Sequence, residues 1–311
     1  MAATPAIPDR RSRFGLQLAA GQVRYQVLLL LRSPIGTFTA LVIPLMLLVA
    51  LNVATPEGTV RVLHGTRYAD FLTPAMAVFA VLNACYVNVI TSTVLAREGG
   101  ILKRLRGTPL PLWAYVLGRG VAAAVVALAS VIVVVAVGSV FLHVHLDGGR
   151  VAALAGVTGL GIVSFTILGL AVSTLIPRPD SALPVAYGTL LPLAFISDVF
   201  FPATGEPGWL HQVAARFPLA PIAEAAERIF TTTGTGWPMS QSQLTVTLAW
   251  TAGSSLITGA AFRWQPGSAV SWHRTWGRRR GGRGRGGPRN VGGAQRPVGS
   301  VSNSGSPGRG P

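Results

Sequence analysis

Residues that could carry out chemistry are few in this sequence. It contains five histidines, one cysteine and ten acidic residues among 311. His143 and His145 have only Asp147 nearby, which is too few ligands for a zinc site, so we expect a solvated loop there and no metal. Cys85 lies in an apolar stretch, where we expect it to pack as a small apolar residue.

Hydrolysis of ATP at a P-loop requires a lysine before Ser or Thr at the end of a glycine-rich turn. The sole lysine, Lys103, is followed by Arg104. We therefore expect no ATP hydrolysis at a P-loop of this chain, and any nucleotide-driven activity would come from another chain. We also expect the chain to be no enzyme and to bind no cofactor of its own.

The composition predicts the class of elements that must position these residues. Hydrophobic residues make up 50% of the chain, charged residues only 12%, and the mean hydropathy is +0.50, which indicates a multi-pass membrane protein. Because the apolar runs are continuous rather than alternating, we expect an all-α integral membrane protein with about six transmembrane helices of ~20 residues each. The predicted spans are Pro34–Ala54, Leu72–Leu95, Val121–Leu142, Val151–Ile176, Ala182–Phe201 and Leu244–Phe262.

Polar residues within the predicted spans could line a substrate path. Asp198, near one end of the fifth span, is the only ionisable group in any of them, which argues against proton-coupled transport. Asn83, Asn88 and Thr91 are possible substrate-path residues, or they join helices by hydrogen bonding. The fourth span contains two pairs of small residues four apart, Ala152 with Gly156 and Ala155 with Gly159. Such pairs favour close helix packing.

The segments that flank the spans are basic. Residues 1–33 are predicted to be a cytoplasmic N-terminus with an interfacial helix over Phe14–Leu31, and 34–262 the transmembrane domain. Residues 263–311 form a mostly disordered, Arg/Gly-rich tail, which favours contact with membrane lipid over nucleic acid. Before the tail, the predicted inner side carries eleven Lys or Arg and the outer side five, so both termini are expected in the cytoplasm and the protein in the cell membrane.

The most informative segment is the loop over residues 96–119. Ile101, Leu102 and Leu105 share one side of a possible short helix, which ends at Gly107 and could dock on a partner. A loop that serves only as a positive-inside topological signal is the alternative, but that rule does not require the Thr108-Pro109-Leu110 ending.

This loop resembles that of the membrane subunits of type-2 ABC exporters, similar to daunorubicin and multidrug exporters. The matching residues are Arg97, Glu98, Gly99, Leu105, Arg106, Thr108, Pro109, Leu110, Gly118 and Arg119. The likeness extends over about Phe14–Pro266, including the helix from Glu224 to Arg228, and does not include the tail.

The resemblance implies the permease subunit of an ABC exporter. Such a permease forms a homodimer or heterodimer and binds ABC ATP-binding subunits through the loop. The implied ATPase-coupling residues are Arg97, Glu98, Gly99, Lys103, Arg104, Leu105, Arg106, Thr108 and Pro109. The expected function is multidrug or antibiotic efflux of a hydrophobic or amphiphilic substrate. Export of a polysaccharide or lipid-linked glycan is one alternative, and a membrane scaffold that transports nothing is another.

Overall fold

The computed structural model describes residues 21, 23–26, 28, 34–55, 67–101, 104, 112–197, 199–200, 208–231 and 236–261. All of them belong to the first of two units of the chain, Met1–Gly267. Their regular structure is entirely helical, so the predicted all-α class is confirmed. Asp198, Lys103, residues 105–111, the start of the predicted N-terminal helix and the tail lie outside the described residues.

Within the described ranges after residue 28, nine α-helices have defined bounds. They are α1 Pro34–Ala54, α2 Tyr68–Leu82, α3 Asn88–Glu98, α4 Leu112–Phe141, α5 Val151–Leu175, α6 Ala182–Ile196, α7 Gly208–Ala214, α8 Leu219–Thr231 and α9 Gln241–Ala261. A π-helical turn, Asn83–Val87, joins α2 to α3 without a break, and short 3₁₀ turns precede α5 and α6.

Three of these continuous helical segments are long and apolar enough to cross a membrane, at Tyr68–Glu98, Trp113–Phe141 and Gly148–Leu175. The prediction of a multi-pass membrane protein is thereby confirmed. Helices also occupy the predicted first, fifth and sixth spans; the apolar stretch described for the first, Ala40–Ala54, is shorter than these three. The 15 residues of α6 extend only about 22 Å, and α9 carries many Ser, Thr and Gln. Six spans therefore stay a prediction.

The second predicted span forms the centre of the core. All residues of α2 except Asp70 are buried, because α1, α4, α5 and α8 pack around it. The second half of this span, α3, mainly contacts α5 and α6. Cys85, in the π turn between the halves, is fully buried, as expected for a small apolar side chain.

Helix α8 contains the predicted helix from Glu224 to Arg228. Its apolar face, from Leu219 to Ile229, is buried against α2 and α5. A helix of this kind is stabilised mainly by packing of its apolar face. It is therefore part of the core rather than a surface connection.

Helix α5 approaches the π turn most closely at Gly169. A Cβ atom placed there would lie 3.1 Å from the carbonyl oxygens of Cys85 and Tyr86 and 3.3 Å from the Cα atom of Tyr86. All three are backbone atoms, so a side chain at this position would require the two backbones to move apart by a few tenths of an ångström. The predicted close approach at Gly156 is to the Trp237 ring instead, and Gly159 faces open space.

Gly169→Ala should therefore lower the thermal unfolding midpoint of the detergent-purified protein. The added methyl group must displace backbone in a packed core, which costs about 1–3 kcal/mol. Gly159→Ala on the same helix is the matched control and should leave the midpoint equal or slightly raised. Equal midpoints for the two variants would contradict the proposed backbone contact.

Candidate functional site

The loop end of the second span is built around Arg97, in the last turn of α3. The residue is 6% exposed. Its Nη1 atom donates a hydrogen bond to the carbonyl oxygen of Ser173 at 3.2 Å, and Nη2 donates to that of Ile176. These carbonyls lie at the C-terminal end of α5, where a helix has no backbone donors left for them. Arg97 therefore fastens the end of α3 to the end of α5.

Hydroxyl groups complete the same helix end. Ser173 Oγ donates to Leu170 O at 2.6 Å, and Thr174 Oγ1 donates to Ala171 O at 2.7 Å. Together with Arg97, they supply donors to four carbonyl groups near the end of α5, those of Leu170, Ala171, Ser173 and Ile176. The negative end of the α5 dipole is also favourable for a cation.

Immediately beyond Arg97, the chain turns outward. Glu98 and Gly99 are exposed, and Gly100 has a φ of +69°, a left-handed conformation that glycine adopts without a steric penalty. Arg104 N donates to Gly100 O at 3.1 Å, and residues 101 and 104 are helical. The described part of the loop therefore agrees with the predicted short helix.

The predicted coupling residues thus divide into an inward and an outward set. Arg97 points into the protein, whereas Glu98, Gly99 and Arg104 face outward and are open to a partner. The remaining predicted members are not among the described residues; they are Lys103, Leu105, Arg106, Thr108 and Pro109. Their role, like that of the outward set, stays a prediction.

The predicted substrate-path residues lie at and just after the π turn. Asn83 is buried, and its Oδ1 accepts a hydrogen bond from Tyr187 OH of α6 at 3.0 Å. Asn83 therefore joins two helices, which was the alternative to substrate contact. Asn88 and Thr91 are half-buried, and Thr91 Oγ1 donates to Val87 O at 2.9 Å within its own helix.

A polar network at the far end of α5 was not predicted. Arg150 precedes α5 and is 8% exposed. Its Nη1 atom donates to Arg228 O at 2.9 Å and to Ile229 O at 2.7 Å, at the end of α8. Arg228 in turn forms an ion pair with Glu224 at 3.1 Å, and Gln243 Nε2 donates to Glu224 Oε2 at 2.6 Å. The sequence signal was the i, i+4 spacing of Glu224 and Arg228.

In the part of the chain that the structure describes, all regular structure is helical and three helices are long and apolar enough to cross a membrane, which is the architecture of a multi-pass membrane protein. The sequence profile of the ABC-2 type transporter family matches residues 22–230. This chain belongs to that family.

Two curated proteins are similar to it over part of their length. Each carries the name "Probable multidrug ABC transporter permease YbhR", one from Escherichia coli (strain K12) and one from Escherichia coli O157:H7. Each is 25% identical to the chain over 167 residues, which is 52% of this chain and 44% of the relative. The chain thus matches less than half the length of these relatives.

Replacing Arg97 should test its clamp on α5. Arg97→Ala removes two charge-assisted hydrogen bonds and leaves carbonyls unpaired, so we expect a loss of about 2–3 kcal/mol in unfolding free energy. Arg97→Lys should recover only part of it, because an ammonium lacks the planar fork that reaches both carbonyls. The measurement is the unfolding midpoint in detergent.

Arg104→Ala is the control for this series, since Arg104 is exposed on the neighbouring loop helix. Its midpoint should equal that of the unchanged protein. A loss as large as that of Arg97→Ala would mean that removal of positive charge, rather than the clamp, accounts for the effect.

Proposed function

We propose that this chain is the permease subunit of an ATP-driven ABC exporter, which moves a hydrophobic or amphiphilic substrate out across the cell membrane. The observation that carries the proposal is membership of the ABC-2 type transporter family over residues 22–230. A separate ATP-binding subunit supplies hydrolysis, with ATP and magnesium bound there. A second permease, identical or related, completes the transporter.

The outward-facing start of the loop supports a partner surface. Glu98 and Arg104 present opposite charges within one short, exposed segment, which suits polar recognition of a partner more than burial in lipid. Opposite charges at a rim fix register and orientation more than they add affinity. Such a surface fits an ATPase that must dock in one orientation.

A route from that surface to the spans runs through Arg97. Because Arg97 is adjacent to Glu98 and holds the end of α5, displacement of the loop by a partner is passed directly to two membrane-length helices. Nucleotide-driven closure of the ATPases would then bias the permease between inward- and outward-facing arrangements. The loop end is accordingly the cytoplasmic end, and both termini lie on that side.

Two observations bear on the substrate class. The similar proteins are named as multidrug permeases, and the described part of the second span offers mainly apolar side chains with half-buried Asn88 and Thr91. Apolar surfaces with a few polar groups suit a drug-like amphiphile. Efflux of such compounds is the function that we propose.

The test is reconstitution of the full chain with its ATP-binding subunit in proteoliposomes. Glu98→Lys should abolish ATP-dependent export of a fluorescent cationic amphiphile and at least halve the ATPase stimulation by the permease, because a charge reversal at the docking surface misplaces the partner. Insertion of the variant into the membrane should be unchanged.

Asp180→Lys is the matched control. Asp180 is also exposed, and it follows the end of α5 at the same end of the helices, but it lies outside the loop. Export by Glu98→Lys at the level of this control would refute the coupling surface. If the ATPase binds but its hydrolysis rate is unchanged by the permease, and the unchanged protein exports nothing, the membrane scaffold is favoured instead.

A further inference from the structure

Arg119, in the eighth position of α4, is a buried cation with incomplete hydrogen bonding. It is 8% exposed. Its Nη1 atom donates to Gln26 Oε1 at 2.8 Å, whereas Nε and Nη2 are buried without a hydrogen-bond partner. A guanidinium stays charged in proteins, and a buried charge without a counter-charge is strongly unfavourable. Two donors of this guanidinium therefore lack an acceptor among the described residues.

A cavity of about 230 Å³ adjoins this side chain. Four segments form it: the helical stretch at residues 21–28, the end of α3, the first turn of the loop helix and the start of α4. Its lining residues are Tyr25, Gln26, Ser92, Leu95, Ala96, Ile101, Tyr115 and Arg119. None of these is acidic, and apart from Arg119 the lining is mainly aliphatic and aromatic.

The charged part and the apolar part of the cavity suit different groups of a ligand. Nε and Nη2 of a guanidinium form a planar pair of donors that matches two oxygens of a phosphate. Leu95, Ile101 and the neighbouring rings suit an alkyl chain instead. The combination is that of an amphiphile with a phosphate head.

The depth of Arg119 agrees with a membrane lipid. The 30 residues of α4 extend about 45 Å, close to the full thickness of a bilayer with its headgroups. Arg119 lies about 10 Å from the start of this helix. When the helix is centred in the bilayer, this is near the boundary between headgroups and hydrocarbon.

The geometry points to a resident phospholipid at this cavity, with its phosphate on Arg119 and the first part of an acyl chain along Leu95 and Ile101. The lipid joins the N-terminal helical stretch to the end of α3 and the loop helix. It is a structural component of the loop end and not the transported substrate. The proposal requires only that the protein lie in a membrane.

The experiment is native mass spectrometry of the full chain in detergent, titrated with dioleoyl-phosphatidylglycerol. Dioleoylglycerol, which has the same acyl chains without phosphate, is the matched probe, and glycerol 3-phosphate provides the phosphate without acyl chains. We expect saturable binding of the phospholipid at least about tenfold tighter than that of either probe.

Two variants assign the binding to this cavity. Arg119→Gln should weaken phosphatidylglycerol binding at least about tenfold, while Arg24→Gln, at an exposed arginine of the same N-terminal stretch, should not. Ala96→Leu fills the cavity without touching the cation and should weaken binding severalfold, so the test survives if Arg119→Gln fails to fold.

Several outcomes would overturn the proposal. Dioleoylglycerol binding as tight as that of the phospholipid would show that the site does not recognise the phosphate. Equally tight binding of glycerol 3-phosphate would show that the site binds a free phosphate ester. Unchanged phospholipid affinity in folded Arg119→Gln or in Ala96→Leu would place the lipid elsewhere on the protein.

Discussion

The carbonyl groups at helix ends constrain this structure more than any other single feature. A bilayer offers no water to satisfy them, so each buried helix end needs a donor from the protein. Two buried arginines supply it at opposite ends of α5: Arg97 bonds the last carbonyls of α5 itself, and Arg150, just before α5, bonds those of α8. Because both bonds are charge-assisted, α5 is fixed to α3 at one end and to α8 at the other.

Between these two ends, the π turn decides which neighbours the central span contacts. An additional residue in the turn rotates the side chains that follow. Both halves contact α5, but α2 also packs against α1, α4 and α8, whereas α3 packs against α6. Gly169 admits the turn against α5. Two hydrogen bonds join the turn to α6: Tyr86 OH bonds Thr189 Oγ1 at 2.8 Å, and Tyr187 OH donates to Asn83 Oδ1 at 3.0 Å. The irregular turn is thus held by packing on one side and by hydrogen bonds on the other.

Hydropathy was sufficient for the membrane class and for the position of most helices, since long apolar runs have few alternatives. The bounds of α1 agree with the predicted first span, and α8 contains the predicted helix from Glu224 to Arg228. The direction of Arg97 was not predictable, because its carbonyl partner lies 76 residues further along the chain. An arginine before Glu-Gly-Gly has the same local pattern whether it caps a helix or faces a partner. The close backbone approach at Gly169, rather than at the small-residue pairs, was likewise not predictable. It depends on the π turn, whose backbone lies against Gly169.

The division between Arg97 and Glu98 explains how one helix end can serve the fold and the loop at once. Adjacent residues on a helix point about 100° apart, so one side chain reaches the end of α5 while the next reaches solvent. Motion of the loop relative to α5 would break both guanidinium hydrogen bonds, at a cost of several kcal/mol. Motion of the loop together with α5 breaks neither. Any large rearrangement is therefore more favourable where the helices are joined by weaker contacts, and the neutral hydrogen bonds between the π turn and α6 are of this kind.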